Sequence, residues 1–545
     1  MLELSNKVFK DPVYGYIEVD TELIKTVIDT PAFQRLRRII QTSYTPLYAT
    51  ATHNRFTHSL GVYFLGNIAI TAIKKKHPEC FASLPNFDKV FLYACLLHDV
   101  GHAPFSHTGE KFYLVPFGNS TKLHKHLTHL INSQQLMDDI QSAKAAAPHE
   151  IMSAIVGLEQ FPEILSADDE KEFFARAITG YHYSEQSKIN SIKNCLIDLL
   201  NSKFIDVDKL DYLIRDSYMT GFETVNIDYE RLLGSLDIIL DDEDEAHLVF
   251  EKNAISVIEN VVYARDLEKK WIQIHPAVLY DIYLIEKSMV FLREKLDVVN
   301  EDREIKESIF SFEALTENGV TLNDSVFVKY LCDDDLIYLL KNKYPNSYFN
   351  EYLDRNARRH PLWKSESEYK SFFISTMSET ELERFNTAMG KLSHFLCKNG
   401  FDEINETVIK SLEKESKKTE KLLKSKKNDE SDKQSLKALI KDKKEMLYVL
   451  NSLKEFSDEN NIEFSFILLK NDLFYSAFGN DDFLKIKILF KKDDASSIKE
   501  FGKIASFGGK EKTLNDFYYL FYKRNADNKD YDIQSLVKKI RARYL

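Results

Sequence analysis

Ten of the fifteen histidines in this 545-residue sequence lie between His53 and His149, and the segment KVFLYACLLHDVGHAPFSHTGE concentrates them. Its apolar run from Val90 to Leu97 is expected to form a helix that ends in His98-Asp99, with Gly101 as the C-terminal stop. An imidazole nitrogen beside a carboxylate oxygen is a mixed donor pair suited to Mn, Fe, Ni or Zn, provided further ligands arrive from elsewhere. Adjacent helical residues point about 100° apart, so both grip one ion only if it sits beside the free helix end. Two stretches can complete the set. HNRFTHSLGVYFLG puts His58 at the start of an apolar helix, and FIDVDKLDYLIRDSYMTG puts Asp206, Asp208, Asp211 and Asp216 into an apolar helical run. A buried carboxylate is costly unless paired or metal-bound, so at least one of these should face inward. A lone histidine on an apolar face is ordinarily a satisfied core residue. His58, His98-Asp99 and Asp208 taken together read as a site.

The elements that must position these residues are helices. Phe and Tyr number 37 and 28, while 17 Gly and 12 Pro leave few breakers, so the fold class is mainly α. KVFKDPVYGYIEVD reads as a turn and a short strand; DTPAFQRLRRI follows as a helix with Thr30 as N-cap and Pro31 at its first position. Residues 1–285 form the expected catalytic domain, and 286–402 an α-helical extension of amphipathic helices. Residues 403–455 form a charged helical segment, and 456–545 a small α+β C-terminal region. In that last region FLKIKILF and IEFSFILL read as strands and SIKEFGKIA as a helix.

Charge and cysteine usage exclude several classes. With 73 Lys and Arg against 85 Asp and Glu, the net charge is −12, which disfavours a general nucleic-acid coat or an anionic-membrane binder while leaving a local basic pocket open. Five scattered cysteines without a CxxC pair fit neither a disulfide framework nor a zinc-thiolate site. No apolar run approaches the roughly 20 residues that span a bilayer, and a cytoplasmic protein without a membrane partner is expected.

The order H…HD…D resembles the HD-domain metal-dependent phosphohydrolases. The strings KVFKDPVYGYIEVD, DTPAFQRLRRIIQ, HNRFTHSLGV, LLHDVGHAPFSH and DVDKLDYLIRD, spread over about residues 5–285, look like the dNTP triphosphohydrolases within them, the group of bacterial dGTPases and of the vertebrate enzyme that joins a SAM domain to an HD domain. No SAM-like segment is expected before the domain here. The resemblance implies an HD-domain helical core in which His58, His98, Asp99 and Asp208 hold one divalent metal (Mn, Mg, Fe, Ni or Zn). It further implies that His149 is the catalytic acid, with Glu150 orienting it. His102 and His107 would line the triphosphate, with His107 nearest the reacting phosphate. Arg55, Lys209 and Arg265 would face the phosphates, Tyr212 and Asp216 the sugar, and Gln41, followed by Thr42, the 3′-hydroxyl. The implied reaction is attack of a metal-associated water on the α-phosphorus while His149 protonates the 5′ oxygen, giving a deoxynucleoside and triphosphate.

The same resemblance matches Lys7, Val8, Asp29, Gln34 and Arg37 to positions that hold a guanine nucleotide activator at a subunit interface, and Arg231 to a second activator site. It therefore implies activation by GTP or a dNTP and a homo-oligomer, whether dimer, tetramer or hexamer. The sequence departs from the family at several positions. Thr42 and Gln273 replace residues that help exclude a 2′-hydroxyl, and Glu251 and Asn253 replace basic residues of the second activator site. Two other readings stay open: an HD phosphohydrolase acting on ribonucleotides, nucleoside monophosphates, cyclic nucleotides or single-stranded DNA, and a non-catalytic nucleotide sensor. The leading expectation is an enzyme of the dNTP pool, with a role in phage defence among its uses.

Overall fold

The computed structural model describes residues 6–42, 47–114, 120–144, 146–222, 225–301, 305–425, 430–472, 483, 485–492, 494–504, 516–524 and 531–544. The chain opens with an antiparallel hairpin, Asn6–Asp11 against Gly15–Asp20. Its turn is closed by Asp11, whose Oδ1 accepts the N–H groups of Val13 and Tyr14 at 2.8 and 3.0 Å. Thr30 caps the next helix as expected, its Oγ accepting the Phe33 N–H at 3.4 Å. That helix, Pro31–Gln34, gives way to a 3₁₀ turn at Arg35–Arg38 and does not run on to Ile40. The chain is drawn into extended pairing there: Gln41 N–H donates to His53 O at 3.0 Å and Arg55 N–H to Ile39 O at 3.0 Å.

Seven helices matter to the site. These are α1 (Arg55–Lys76), α2 (Phe87–Leu97), α3 (Pro148–Gln160), α4 (Lys188–Leu200), α5 (Val207–Thr220), α6 (Ile255–Glu268) and the short α7 (Asp333–Tyr338). α1 is the centre, with α2 and α5 packed on it. It is also, among the described residues, the helix long and apolar enough to cross a membrane, and most of it is buried inside the protein. Pro148 starts α3, which puts His149 and Glu150 on its first turn. Gly101 does not act as a left-handed helix stop, since its φ is not positive. Its value is close approach: a Cβ there would come within 2.4 Å of the Ser153 nitrogen on α3. A glycine is what lets the turn after α2 lie against α3.

Packing divides the chain into two units that do not follow sequence order. The first comprises Met1–Gln273, Asp281–Asn350 and Tyr475–Gly509. Beside its helices it holds a four-stranded sheet. Leu236–Leu240 pairs antiparallel with Ala246–Glu251, which pairs in parallel with Lys487–Leu489, and that strand pairs with Ile498–Glu500. The strand expected in FLKIKILF is therefore the three residues Lys487–Leu489. The helix expected in SIKEFGKIA is instead a strand and a 3₁₀ turn at Phe501–Lys503, because Ile498–Glu500 finds a sheet edge to bond. Residues 298–328 also depart from the expected helices. They form two small ladders, Val298–Val299 with Ile305–Glu307 and Val320–Thr321 with Phe327–Val328. β-branched residues in VTLNDSVFV favour extension, and Gly319, at φ +64°, takes the left-handed position beside the second ladder.

The second unit comprises Ile274–Tyr280, Glu351–Phe474 and Lys510–Leu545. Its sheet runs Phe466–Asp472, Asp516–Tyr522, His360–Pro361, with the central strand Asp516–Tyr522 bonded on both sides. The charged stretch is a pair of helices, Glu406–Ser425 and Glu430–Asn460. They bury Val408, Leu412, Val449, Leu450 and Leu453 while ion pairs such as Lys454–Glu406, at 2.8 Å, cover the outside.

Candidate active site

His58, on the first turn of α1, is fully buried. Its Nδ1 bonds Asp211 Oδ2 at 2.7 Å, which turns Nε2 toward Asp208 Oδ1 at 3.0 Å and Asp99 Oδ2 at 3.6 Å. His98, at the end of α2, is held the same way. Its Nδ1 donates to the Cys95 carbonyl at 2.9 Å, and its Nε2 lies 3.2 Å from that of His58 and 3.6 Å from Asp208 Oδ1. Each imidazole thus has one nitrogen fixed by a partner behind it and presents the other to the same point, the arrangement that metal-binding histidines require. His58, His98 and Asp99 bring their donor atoms within 4.8 Å of one another and can hold a metal ion, with Asp208 beside them. The electrostatics agree. Burial alone would lower the His58 pKa, but its bonds to Asp208 and Asp211 outweigh that and raise it to about 10. Burial would likewise raise Asp208, yet His58 and His98 hold it well below the carboxylate range. Several carboxylates here demand positive charge, which a divalent ion supplies.

Asp211 is one of the four carboxylates in its helix, but its role as the partner of His58 is not legible in the sequence. It is fully buried and receives a two-pronged bond from Arg215, at 2.9 and 3.0 Å, while Arg215 also reaches Asp11 at 2.9 Å. The donor set is thereby tied to the N-terminal hairpin. Gly61 makes room for it, since a Cβ at that position would lie 1.8 Å from Asp211 Oδ1. The visible signal is the i, i+4 spacing of Asp211 and Arg215 on one helix.

A second cluster adjoins the first. His102 Nε2 is 3.5 Å from Asp99 Oδ1, and the His102 ring stacks on His149 with centroids 4.3 Å apart. His107 meets both rings edge-on, each at 5.1 Å, and leaves 63% of its side chain exposed. Burial, aided by Arg55 and the neighbouring histidines, pushes His102 well below its ordinary pKa and keeps it neutral. His149 goes the other way: burial opposes its proton, but Glu110 outweighs burial and raises it. The carboxylate on His149 Nδ1 is Glu110, not Glu150. Glu150 instead closes the start of its own helix, accepting the Ala147 N–H at 2.6 Å, and accepts from Asn201 Nδ2 at 2.9 Å. A glutamate at the third helical position reaches back to its own helix start more readily than sideways to its neighbour. The signal for Glu110 is its i, i+3 spacing from His107 in HTGE, on whose Nδ1 it also lies at 3.4 Å.

The expected basic residues do not form a free cationic patch. Arg55 is buried, with Nη1 on Asp99 Oδ2 at 2.7 Å, Nε on Ser106 Oγ at 2.9 Å and Nη2 on the Gln41 carbonyl at 3.3 Å. Lys209 Nζ bonds Asp206 at 2.6 Å and the Ser202 carbonyl at 2.8 Å. Buried cations take carboxylate partners, so a polyanion meets both as ion pairs. The Arg265 guanidinium lies 4.6 Å over the Phe483 ring. Asp216, expected at a sugar, is bonded by His53 Nε2 at 2.7 Å, with Tyr212 half-buried one turn before it. Gln273 donates to Glu268 at 2.8 Å. Gln41 Oε1, Thr42 Oγ1 and both ring nitrogens of His102 are buried and have no hydrogen-bond partner among the described residues. Buried polar atoms are nearly always satisfied, and a bound polar ligand would satisfy these.

The residues expected at an activator lie on the surface. Lys7 and Val8 are exposed on the first strand, and Asp29 is exposed after Ile28. Gln34 donates to Ile28 O at 2.7 Å and accepts from Arg37 Nε at 2.8 Å, and the Arg37 guanidinium lies 3.5 Å over the Phe56 ring. Arg231 donates to the Asn253 carbonyl, while Glu251 pairs with Lys76 at 2.7 Å.

Residues 55–199 match the HD domain family, and this stretch contains His58, His98, Asp99, His102, His107 and His149. The matched stretch is an HD domain. The chain is similar to Deoxynucleoside triphosphate triphosphohydrolase SAMHD1 of Xenopus laevis, 34% identical over 42% of this chain and 36% of the relative. SAMHD1 of Gallus gallus is 35% identical over the same shares. This chain therefore spans little more than a third of these relatives. The "Uncharacterized protein YwfO" of Bacillus subtilis is 28% identical over 64% of this chain and 72% of its own. A crystal structure of a hypothetical protein from Aquifex aeolicus shares the fold, with a TM-score of 0.53 and 20% identity over 99% of this chain and all of that one.

Proposed function

We propose that this HD phosphohydrolase hydrolyses deoxynucleoside triphosphates to a deoxynucleoside and triphosphate. The observation that carries the reading is the junction at His102, which lies 3.5 Å from Asp99 of the proposed metal donor set and stacks on His149, a histidine bonded by the Glu110 carboxylate. A bound divalent ion supplies a Lewis acid for the phosphoryl oxygens and lowers the pKa of water. The protein's own residues do the rest. His149, whose pKa Glu110 raises against the effect of burial, gives its proton to the departing 5′ oxygen. Neutral His102 and exposed His107 offer N–H groups to the phosphate as negative charge builds on it. Gln41 Oε1 and Thr42 Oγ1 provide the unmet polar atoms for the sugar.

We further infer, from the resemblance of the motifs, that dGTP is among the substrates and that GTP or a dNTP activates through Lys7, Val8, Asp29, Gln34 and Arg37 at a homo-oligomer interface, with the protein acting in the cytoplasm on the dNTP pool. The test is to incubate metal-loaded protein with each dNTP and NTP, singly and in mixtures, and to separate the products by chromatography. Triphosphate released from deoxynucleotides supports the proposal. Pyrophosphate or phosphate release favours another HD phosphohydrolase, and no turnover in any mixture favours a nucleotide sensor.

A further inference from the structure

We propose that Asp333 is a positioning residue of this site, one carboxylate that fixes the two loops carrying the substrate-facing side chains. It stands on the first turn of α7, buried, and outside the residues that match the HD domain. Its two oxygens serve two distant segments. Oδ2 accepts the Ile40 N–H at 2.9 Å, and Oδ1 accepts the Phe105 N–H at 2.7 Å. Ile40 directly precedes Gln41 and Thr42, and Phe105 lies between His102 and His107.

Other contacts close the same ring. Ser106 Oγ donates to the Ile40 carbonyl and accepts from Arg55 Nε, so the two loops also touch each other. Arg35 donates to Leu331 O at 2.7 Å, Val100 O at 2.7 Å and His102 O at 2.9 Å, holding the entry to α7 against the histidine loop. The loop needs such holding. Phe105 and Ser106 have φ values of 56° and 55°, a left-handed conformation that residues with a side chain keep only when their surroundings fix it. Asp333 takes the N–H of the first, and Arg55 with Ile40 pins the side chain of the second. A carboxylate can accept on both oxygens at once, whereas an amide has only one acceptor. Asp333→Asn must therefore release one loop or the other. Loops that set reacting atoms are sensitive to such release, since a shift of about 1 Å can cost on the order of 100-fold in rate.

The proposal rests on the reading that Gln41, Thr42, His102 and His107 face the substrate, and its test separates the two. Hydrogen exchange of the full-length, metal-loaded Asp333→Asn protein is expected to quicken in peptides covering 39–42 or 103–107, with α1 and α5 as protected as in the wild type and metal content unchanged. With dGTP and GTP as substrates, kcat/KM should fall about 10- to 100-fold, and the ratio between the two should change. Unchanged exchange in both loops overturns the proposal, as does exchange that rises throughout the protein, which marks Asp333 as an ordinary stability residue. Loosened loops in a protein whose wild type turns over no nucleotide uphold Asp333 and count against the proposed reaction. If the amide variant does not fold, Asp333→Glu replaces it: it keeps both acceptors on a longer arm, so kcat should fall while helix exchange stays at the wild-type level. Unchanged kcat in that variant, with an active wild type, overturns the proposal.

Discussion

The two clusters that meet at His102 are built on opposite principles. In the donor set of His58, His98, Asp99 and Asp208, the rear nitrogen of each imidazole is bonded, and Asp99 carries Arg55 behind it. Three of the four donors are thus held from behind, and Asp208 faces the two imidazoles. In the cluster of His102, His107 and His149, burial lowers the pKa of one ring, Glu110 raises that of another and the third is largely exposed, and the ring nitrogens of His102 have no hydrogen-bond partner among the described residues. A site whose imidazoles are held from behind suits an ion that stays. A site with unmet polar atoms and a poised proton suits a substrate that arrives, reacts and leaves.

Breaking the first cluster should have the largest effect. His98→Ala or Asp208→Ala is expected to abolish stoichiometric metal, measured by elemental analysis, and to lower turnover on the order of 1000-fold or more, the loss of several kcal/mol of charge stabilisation. Breaking the second should separate chemistry from binding. His149→Ala should lose about 100- to 10,000-fold in turnover, the range for a general acid, while its metal content matches the wild type. Metal lost from that variant would show that the clusters are one unit.

Two milder changes sharpen the contrast. Asp211→Asn keeps every donor but weakens the group behind His58, so metal affinity should drop about 10- to 100-fold and added metal should restore activity. Activity that stays low at saturating metal would place Asp211 in the chemistry. Glu110→Gln acts on the proton. The wild-type His149 pKa lies above its ordinary 6.5 because Glu110 outweighs burial, so its acid form is present below that raised value and is lost as pH rises through it. Removing the Glu110 charge should move the alkaline limb of the kcat profile to lower pH, with a larger loss at pH 8 than at pH 6. An unmoved limb would show that another group carries the proton.

Sequence showed which residues would gather, because metal ligands are chemically conspicuous: imidazoles and carboxylates inside apolar helices are costly to bury unless they bind one another or an ion. Helix starts were legible too, from Thr30 and from Pro148, because capping is local. What stayed hidden is what depends on distant partners. The resemblance gave Glu150 as the partner of His149, yet Glu110, 39 residues away, makes the bond. Arg55 and Lys209 looked like free cations until burial gave each a carboxylate. SIKEFGKIA has helical spacing, but an open strand edge at Lys487–Leu489 decides its structure. Asp333 carries no sequence signal at all: its partners are the backbone N–H groups of Ile40 and Phe105, which every sequence possesses.

The most direct test of the proposed chemistry is to run the reaction of metal-loaded protein with dGTP in ¹⁸O-water and weigh the products by mass spectrometry. Water attack at the α-phosphorus, with His149 protonating the 5′ oxygen, predicts one ¹⁸O in the released triphosphate and none in the deoxyguanosine. Label in the deoxyguanosine, or labelled pyrophosphate or phosphate in place of triphosphate, would contradict it.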